Sequence, residues 1–234
     1  MVTRSDHTRS DHIRKGRLMG IFSRRQTATV EQPAAAAPER FAARSATAAA
    51  TLDPALRELT GHWTIDRPHS RIGFSVRHAM VTTVRGAFTD YDSRLYFDGA
   101  SPGDSRAELV IRVASVDTGV EQRDAHLVGK DFFDARRHPE MTFRSTSTTQ
   151  ESGESFRMTG DLTIRGTTRP VELQLDYLGS VVDPFGYERA GFDGTTTIDR
   201  RDWGLVYNQR LEAGGSMVSE KVRLQFDISA IRSS

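Results

Sequence analysis

The stretch "DRPHSRIGFSVRH", residues 66 to 78, sets an acid, an imidazole and a hydroxyl within five positions. Asp66, His69 and Ser70 are the residue types of a nucleophilic hydrolase, in which a base within hydrogen-bond reach activates the serine. The same three suit the polar start of a strand or the rim of a pore, because Asp and Ser side chains readily bond nearby backbone. The spacing disfavours the hydrolase: His69 and Ser70 are adjacent, and neighbours on a strand point to opposite faces. A metal or haem site fares no better. The histidines His62, His69, His78, His126 and His138 contain no His-x-His or His-x-x-x-His pair, so ligands would have to converge from separate strands. His138 precedes Pro139, which restricts it to extended backbone. The chain has no cysteine, excluding disulfide frameworks, thiol nucleophiles and cysteine-ligated zinc. With 32 basic and 31 acidic residues, net +1, it is not built around nucleic acid. The expectation is a protein that is not an enzyme, with no catalytic residue, no metal and no cofactor.

The elements that carry these residues show a period of two. "RIGFSVRH" alternates Ile72, Phe74 and Val76 with polar residues; "RAELVIRVAS" does so with Ala107, Leu109, Ile111 and Val113. "PEMTFRST", "FRMTGDLTIR", "PVELQLDY", "AGFDGTTTI" and "KVRLQFDIS" repeat the pattern, and "VRGAFTDYDSRLYF" at 84 to 97 brings the total to about eight segments. Such segments form an antiparallel sheet wet on one side, and closing it into a barrel removes its exposed edges. "GVEQRDAHLVGKDFFDARRHPE" lacks the alternation and reads as a short helical insertion stopped by Pro139. Gly73, Gly86, Gly160, Gly191 and Gly194 fall among the strands, where they leave room inside or mark bulges. Pattern alone leaves a filled and a hollow barrel open.

Residues 1 to 60 differ in composition. "RSDH" occurs twice, at 4 to 7 and 9 to 12, and "EQPAAAAPERFAARSATAAATLDPAL" is alanine-rich with three prolines. This leader is expected to be disordered, with a short helix near Pro54 to Leu59, followed by a barrel domain at 61 to 234. Its best apolar run, "LMGIF" at 18 to 22, falls short of the ~7–15 residues of a secretory signal, so a cytoplasmic location is expected. The basic leader could make a weak membrane-surface contact that leaves the protein peripheral.

"DRPHSRIGFSVRH", "VRGAF", "ASVDTGVEQRDAHLVGKDFFDARRHPEMTFRST" and "GDLTIRGTTRPVELQL", in this order, resemble the YceI-like family of lipid-binding proteins over residues 63 to about 230. The resemblance implies an all-β fold: an extended eight-stranded antiparallel β-barrel, lipocalin-like, whose pore holds a polyisoprenoid, polyprenyl phosphate or isoprenoid quinone. For such a guest the inward phase supplies Phe74, Val76, Phe88, Leu109, Ile111, Met141, Phe143, Met158, Leu162, Ile164, Leu173, Leu175, Phe192 and Phe226 as lumen candidates, with Phe132 and Phe133 of the insertion either capping one end or anchoring the insertion to the barrel. Asp66, His69, Ser70, Arg77, His78, Arg123, Asp124 and His126 are the rim candidates, Arg77 or Arg123 being suited to a phosphate head. The alternative for the rim set is structural: turn-fixing at Asp66 to Ser70, and a salt bridge and helix cap within "RDAHL". The chain departs from the family pattern at "IDRRDWG", where Asp199 stands for an asparagine and Trp203 for a phenylalanine. Many relatives carry a signal peptide; this leader is different.

Overall fold

The computed structural model describes residues 54–212 and 214–233. The expectations for residues 1–53, including disorder and membrane contact, lie outside the described residues. The strands are β1 (Gly61–Ile65), β2 (Arg71–His78), β3 (Thr82–Phe88), β4 (Tyr91–Phe97), β5 (Arg106–Arg112), β6 (Val116–Asp117), β7 (Glu140–Ser152), β8 (Ser155–Ile164), β9 (Thr167–Val182), β10 (Glu188–Asp199) and β11 (Val218–Arg232). Eight of them close a ring in the order β1-β4-β5-β7-β8-β9-β10-β11, and β11 pairs back onto β1. Every pairing is antiparallel, as the resemblance implied. β2, β3 and β6 continue the sheet from β11 beyond the end of β1.

The alternation becomes a wall with one apolar face. Along β8, Met158, Leu162 and Ile164 are buried with Gly160 in phase between them, while Arg157 and Asp161 are exposed. The non-alternating segment forms α2 (Glu121–Val128) and the turns that follow it. Helix α1 (Pro54–Glu58) stands where the short helix was expected. Its Leu56 and the following Leu59 are almost fully buried against Trp63, Leu95, Tyr177, Ala190 and Ala230, so they belong to the barrel's packing rather than to a leader. Gly99 makes that seat: a Cβ there would collide with the backbone carbonyl of Leu56. The Trp63 indole donates to the Leu59 carbonyl at 2.9 Å, and the Arg232 guanidinium lies 4.4 Å from the Trp63 ring centroid.

The opening motif sits at a break in one strand. β1 and β2 lie along the same edge of β11, separated by the one-turn 3₁₀ helix Arg67–His69. Ser70 Oγ accepts from the Ser229 amide at 2.9 Å and contacts the Ser229 carbonyl at 3.2 Å, supplying rungs of the ladder that the detour skips. No helix among the described residues is long and apolar enough to cross a membrane.

Candidate functional site

The inward side chains meet across the barrel near the α1 end, where the Phe97 and Phe192 rings lie 4.8 Å apart between centroids, but they do not fill it. They surround a cavity of about 270 Å³ that reaches from Leu56 and Leu59 at the α1 end to Leu127, Phe132, Phe133 and Leu205 at the α2 end. All sixteen lumen candidates, from Phe74 to Phe226 and including Phe132 and Phe133, line it. Lining residues outside that set include the two leucines of the α1 end, Ile65 and Phe97, and three polar residues, Ser105, Thr148 and Arg200. A second groove, of about 510 Å³, lies on the outer face of β2, β3, β10 and β11 among Arg71, Arg85, Arg223, Asp193 and Asp227. Its charged walls suit an apolar guest poorly.

Glycine keeps the interior open. A Cβ on Gly86 would sit 2.5 Å from Phe74 Cζ, and one on Gly194 would sit 2.6 Å from Leu175 Cδ2. The Phe143 ring overlies Gly160 in the same way. Each bulky side chain lies back against the wall in the space a neighbouring strand's side chain would occupy, and the axis stays free. Aromatic contacts then close the α2 end. Phe133 meets Phe88 edge-on at 5.9 Å between centroids, while His126, Phe132 and Tyr207 form a mutual cluster at 5.0–5.2 Å.

None of Asp66, His69, Ser70, Arg77, His78, Arg123, Asp124 and His126 lines the cavity, and their contacts are those of the structural alternative. Asp66 accepts from the Arg189 guanidinium at 2.5 Å and contacts His69 Nδ1 at 2.6 Å. Burial opposes its ionisation, but hydrogen bonds from Arg189 and His69 outweigh that and hold its carboxyl below the usual aspartate range. Arg189 also binds Asp183 at 2.7 Å, so the group fastens the β9–β10 turn to the kink between β1 and β2. Arg77 donates to the Met80 carbonyl at 2.7 Å, pinning a β2–β3 turn whose Ala79 and Met80 both have left-handed φ. His78 pairs with Thr82 at the start of the same turn. Arg123 folds onto Thr118 through Nε at 2.7 Å and Nη2 at 2.9 Å, and Asp124 accepts from the Thr118 amide at 3.0 Å. His126 contacts Asp131 at 3.2 Å. The cause is general: polar groups next to turns satisfy local backbone before they can serve a distant ligand.

Asp66, His69 and Ser70 do not form a triad. His69 turns to Asp66 while Ser70 turns to the Ser229 backbone. Residues 99 to 103, "GASPG", have the Gly-x-Ser-x-Gly spacing of a nucleophile elbow. However, Ser101 is exposed at the start of a short 3₁₀ turn, and its amide donates to Asp98 Oδ1 at 2.8 Å, an ordinary loop bond.

Among the described residues Arg200 is the one charged side chain in the cavity wall, and it is only 4% exposed. Burial pulls its pKa below the ordinary arginine value. Its donors go to backbone carbonyls: Nε to Ser219 at 3.0 Å, Nη1 to Leu205 and, at 2.9 Å, to Tyr207, and Nη2 to Val218 at 3.4 Å. It therefore clasps both ends of the long β10–β11 connection. The neighbouring Trp203 is buried and donates to the Leu162 carbonyl at 3.0 Å, tying the same connection to β8.

The closed antiparallel barrel matches known proteins. The model of the YceI-like domain matches residues 63–230. The chain belongs to the YceI-like family. A UPF0312 protein of Photorhabdus laumondii is 36% identical over 188 residues, 80% of this chain and 94% of that protein. The crystal structure of Burkholderia cenocepacia BcnA superposes with a TM-score of 0.63 at 26% identity, covering 70% of this chain and 98% of BcnA. A polyisoprenoid binding domain from Saccharophagus degradans superposes at 0.54 with 16% identity, covering 73% and 98%, a likeness of fold. Within the YceI-like pattern, the departure at Asp199 has a local partner. Its carboxylate accepts from the Arg201 amide at 3.1 Å and pairs with the Arg201 guanidinium, which holds it well below the usual aspartate range.

Proposed function

We propose that this chain binds an isoprenoid-tailed lipid, a polyprenyl phosphate or an isoprenoid quinone, in the barrel lumen and carries or stores it without chemical change. The observation that carries this reading is the open apolar cavity running between α1 and α2. A chain that is apolar along its length gains roughly 0.8 kcal/mol per buried CH₂-sized group before ordering losses, whereas one neutral hydrogen bond at the head nets about 0.5–1.5 kcal/mol. The tail therefore sets affinity and the head sets orientation. The Saccharophagus degradans neighbour, described as polyisoprenoid binding, adds support. The lipid is the only small molecule the role needs, and the cytoplasm is the proposed location.

The rival role is a scaffold for stress response or interaction that holds no lipid. Solvent extraction of the purified protein followed by mass spectrometry separates the two: about one isoprenoid lipid per chain is expected, and a clean extract from folded protein returns the scaffold. Leu162→Arg places a cation in the apolar wall and is expected to abolish retention. Full retention by a folded variant would refute the lumen as the site.

A further inference from the structure

The cavity wall is carbon almost throughout, so its few polar atoms decide how a guest lies. Thr148 lines the cavity, is 8% exposed, and its hydroxyl has no hydrogen-bond partner. Ser105 also lines the cavity and is buried; its hydroxyl accepts from the Asp98 amide at 3.0 Å, which leaves its own proton without an assigned acceptor. Both lie toward the α1 end. Ser105 follows the short turn Pro102–Asp104 that packs on β7, and Thr148 pairs with Met158 of β8, four residues from the Leu162 carbonyl that Trp203 binds. At ~3.3 Å per residue, that separates Thr148 from the Arg200 end by roughly 13 Å along the strand. A buried hydroxyl with no partner costs free energy, and its presence in a wall of carbon calls for an occupant that completes it.

We propose that Thr148 and Ser105 form a hydrogen-bonding station for a neutral oxygen of the guest, a carbonyl or hydroxyl, so that the polar head lies against α1 and the tail points to Arg200. This rests on the lipid-binding reading and narrows it to a neutral head such as a quinone or a prenol. A phosphate at this end would be buried with hydroxyls but no cation, a costly arrangement. Arg200, the one cation of the wall among the described residues, is at the other end with its donors turned to four carbonyls.

Three probes test this on the delipidated full chain: squalene, a benzoquinone with an isoprenoid tail, and a polyprenyl phosphate of the same tail length. The quinone is expected to bind more tightly than the phosphate. Thr148→Val keeps the shape and removes the hydroxyl, so quinone affinity should fall about fivefold while squalene binding is unchanged. Ser105→Ala should move in the same direction. Equal quinone affinity in wild type and Thr148→Val overturns the station, as does tighter binding of the phosphate. If none of the three probes binds the wild type, the lipid reading falls as well.

An independent readout needs no change at Thr148. Quinones quench tryptophan emission at short range, and the two tryptophans mark opposite ends: Trp63 packs with Leu56 and Leu59, Trp203 beside Leu162. Bound quinone should quench Trp63 in a Trp203→Phe background more than Trp203 in a Trp63→Phe background. The reverse order overturns the orientation.

Discussion

Adding one methyl group to the wall tests why the barrel is hollow. A Cβ on Gly86 would lie 2.5 Å from Phe74 Cζ and 2.8 Å from both Phe74 Cε1 and Thr118 Cγ2. Non-bonded carbons settle at about 3.5–4.0 Å, so in Gly86→Ala the Phe74 ring must retreat by about 1 Å. The clashing atoms are all side-chain atoms, and the ring's open side is the cavity. Overpacking of this kind costs about 1–3 kcal/mol. For a domain of this size that lowers the melting temperature by about 2–12 °C. Calorimetric melting gives the stability, and lipid per chain by extraction and mass spectrometry gives the capacity. The variant should fold, melt earlier and retain less lipid. Adding Phe74→Leu to Gly86→Ala should restore capacity by removing the displaced ring. An undiminished lipid content in Gly86→Ala, or a double variant as defective as the single one, would show that the glycine does not hold the lumen open.

Arg200→Met should free the β10–β11 connection, because four carbonyls lose their donor at a cost of about 1–3 kcal/mol for each that finds no water. Hydrogen exchange at residues 205 to 219 should accelerate, and unchanged protection there would contradict the clasp. Asp199→Asn keeps an acceptor for the Arg201 amide but loses the ion pair. The folded carboxyl is depressed, so its contribution is present above the unfolded aspartate pKa of about 3.9 and is lost as pH falls below it. Urea melts should find wild type more stable than Asp199→Asn at pH 7, with the gap closing below about pH 4. A gap independent of pH would count against the pair.

The lumen was legible because a period of two has only two phases, and choosing the apolar one assigns every residue of a strand together. Thr148 escaped for the same reason. A bulge between Ser145 and Ser147 shifts the phase of β7, so after Met141, Phe143 and Ser145 the next inward residue is Thr148 rather than Ser147. Arg200 looked like one of several surface charges in "IDRRDWG", and only the fold brings four carbonyls around it. Leu56 and Leu59 sat in an alanine- and proline-rich window with no period to mark them as packed. The rim residues carried two readings because a polar group before a strand reads the same at a pore mouth and at a kink. The pairing of Asp66 with Arg189 spans most of the domain, which local pattern cannot anticipate.

The seam between β1 and β11 joins the first and last strands of the described chain, Trp63 opposite Arg232. The ring therefore stays an open sheet until β11 is in place. Until then its free margins on β1 and β10 are sticky templates for other chains. Contacts this remote in sequence form late and slowly, so closure of the ring is the step on which completion of the fold waits.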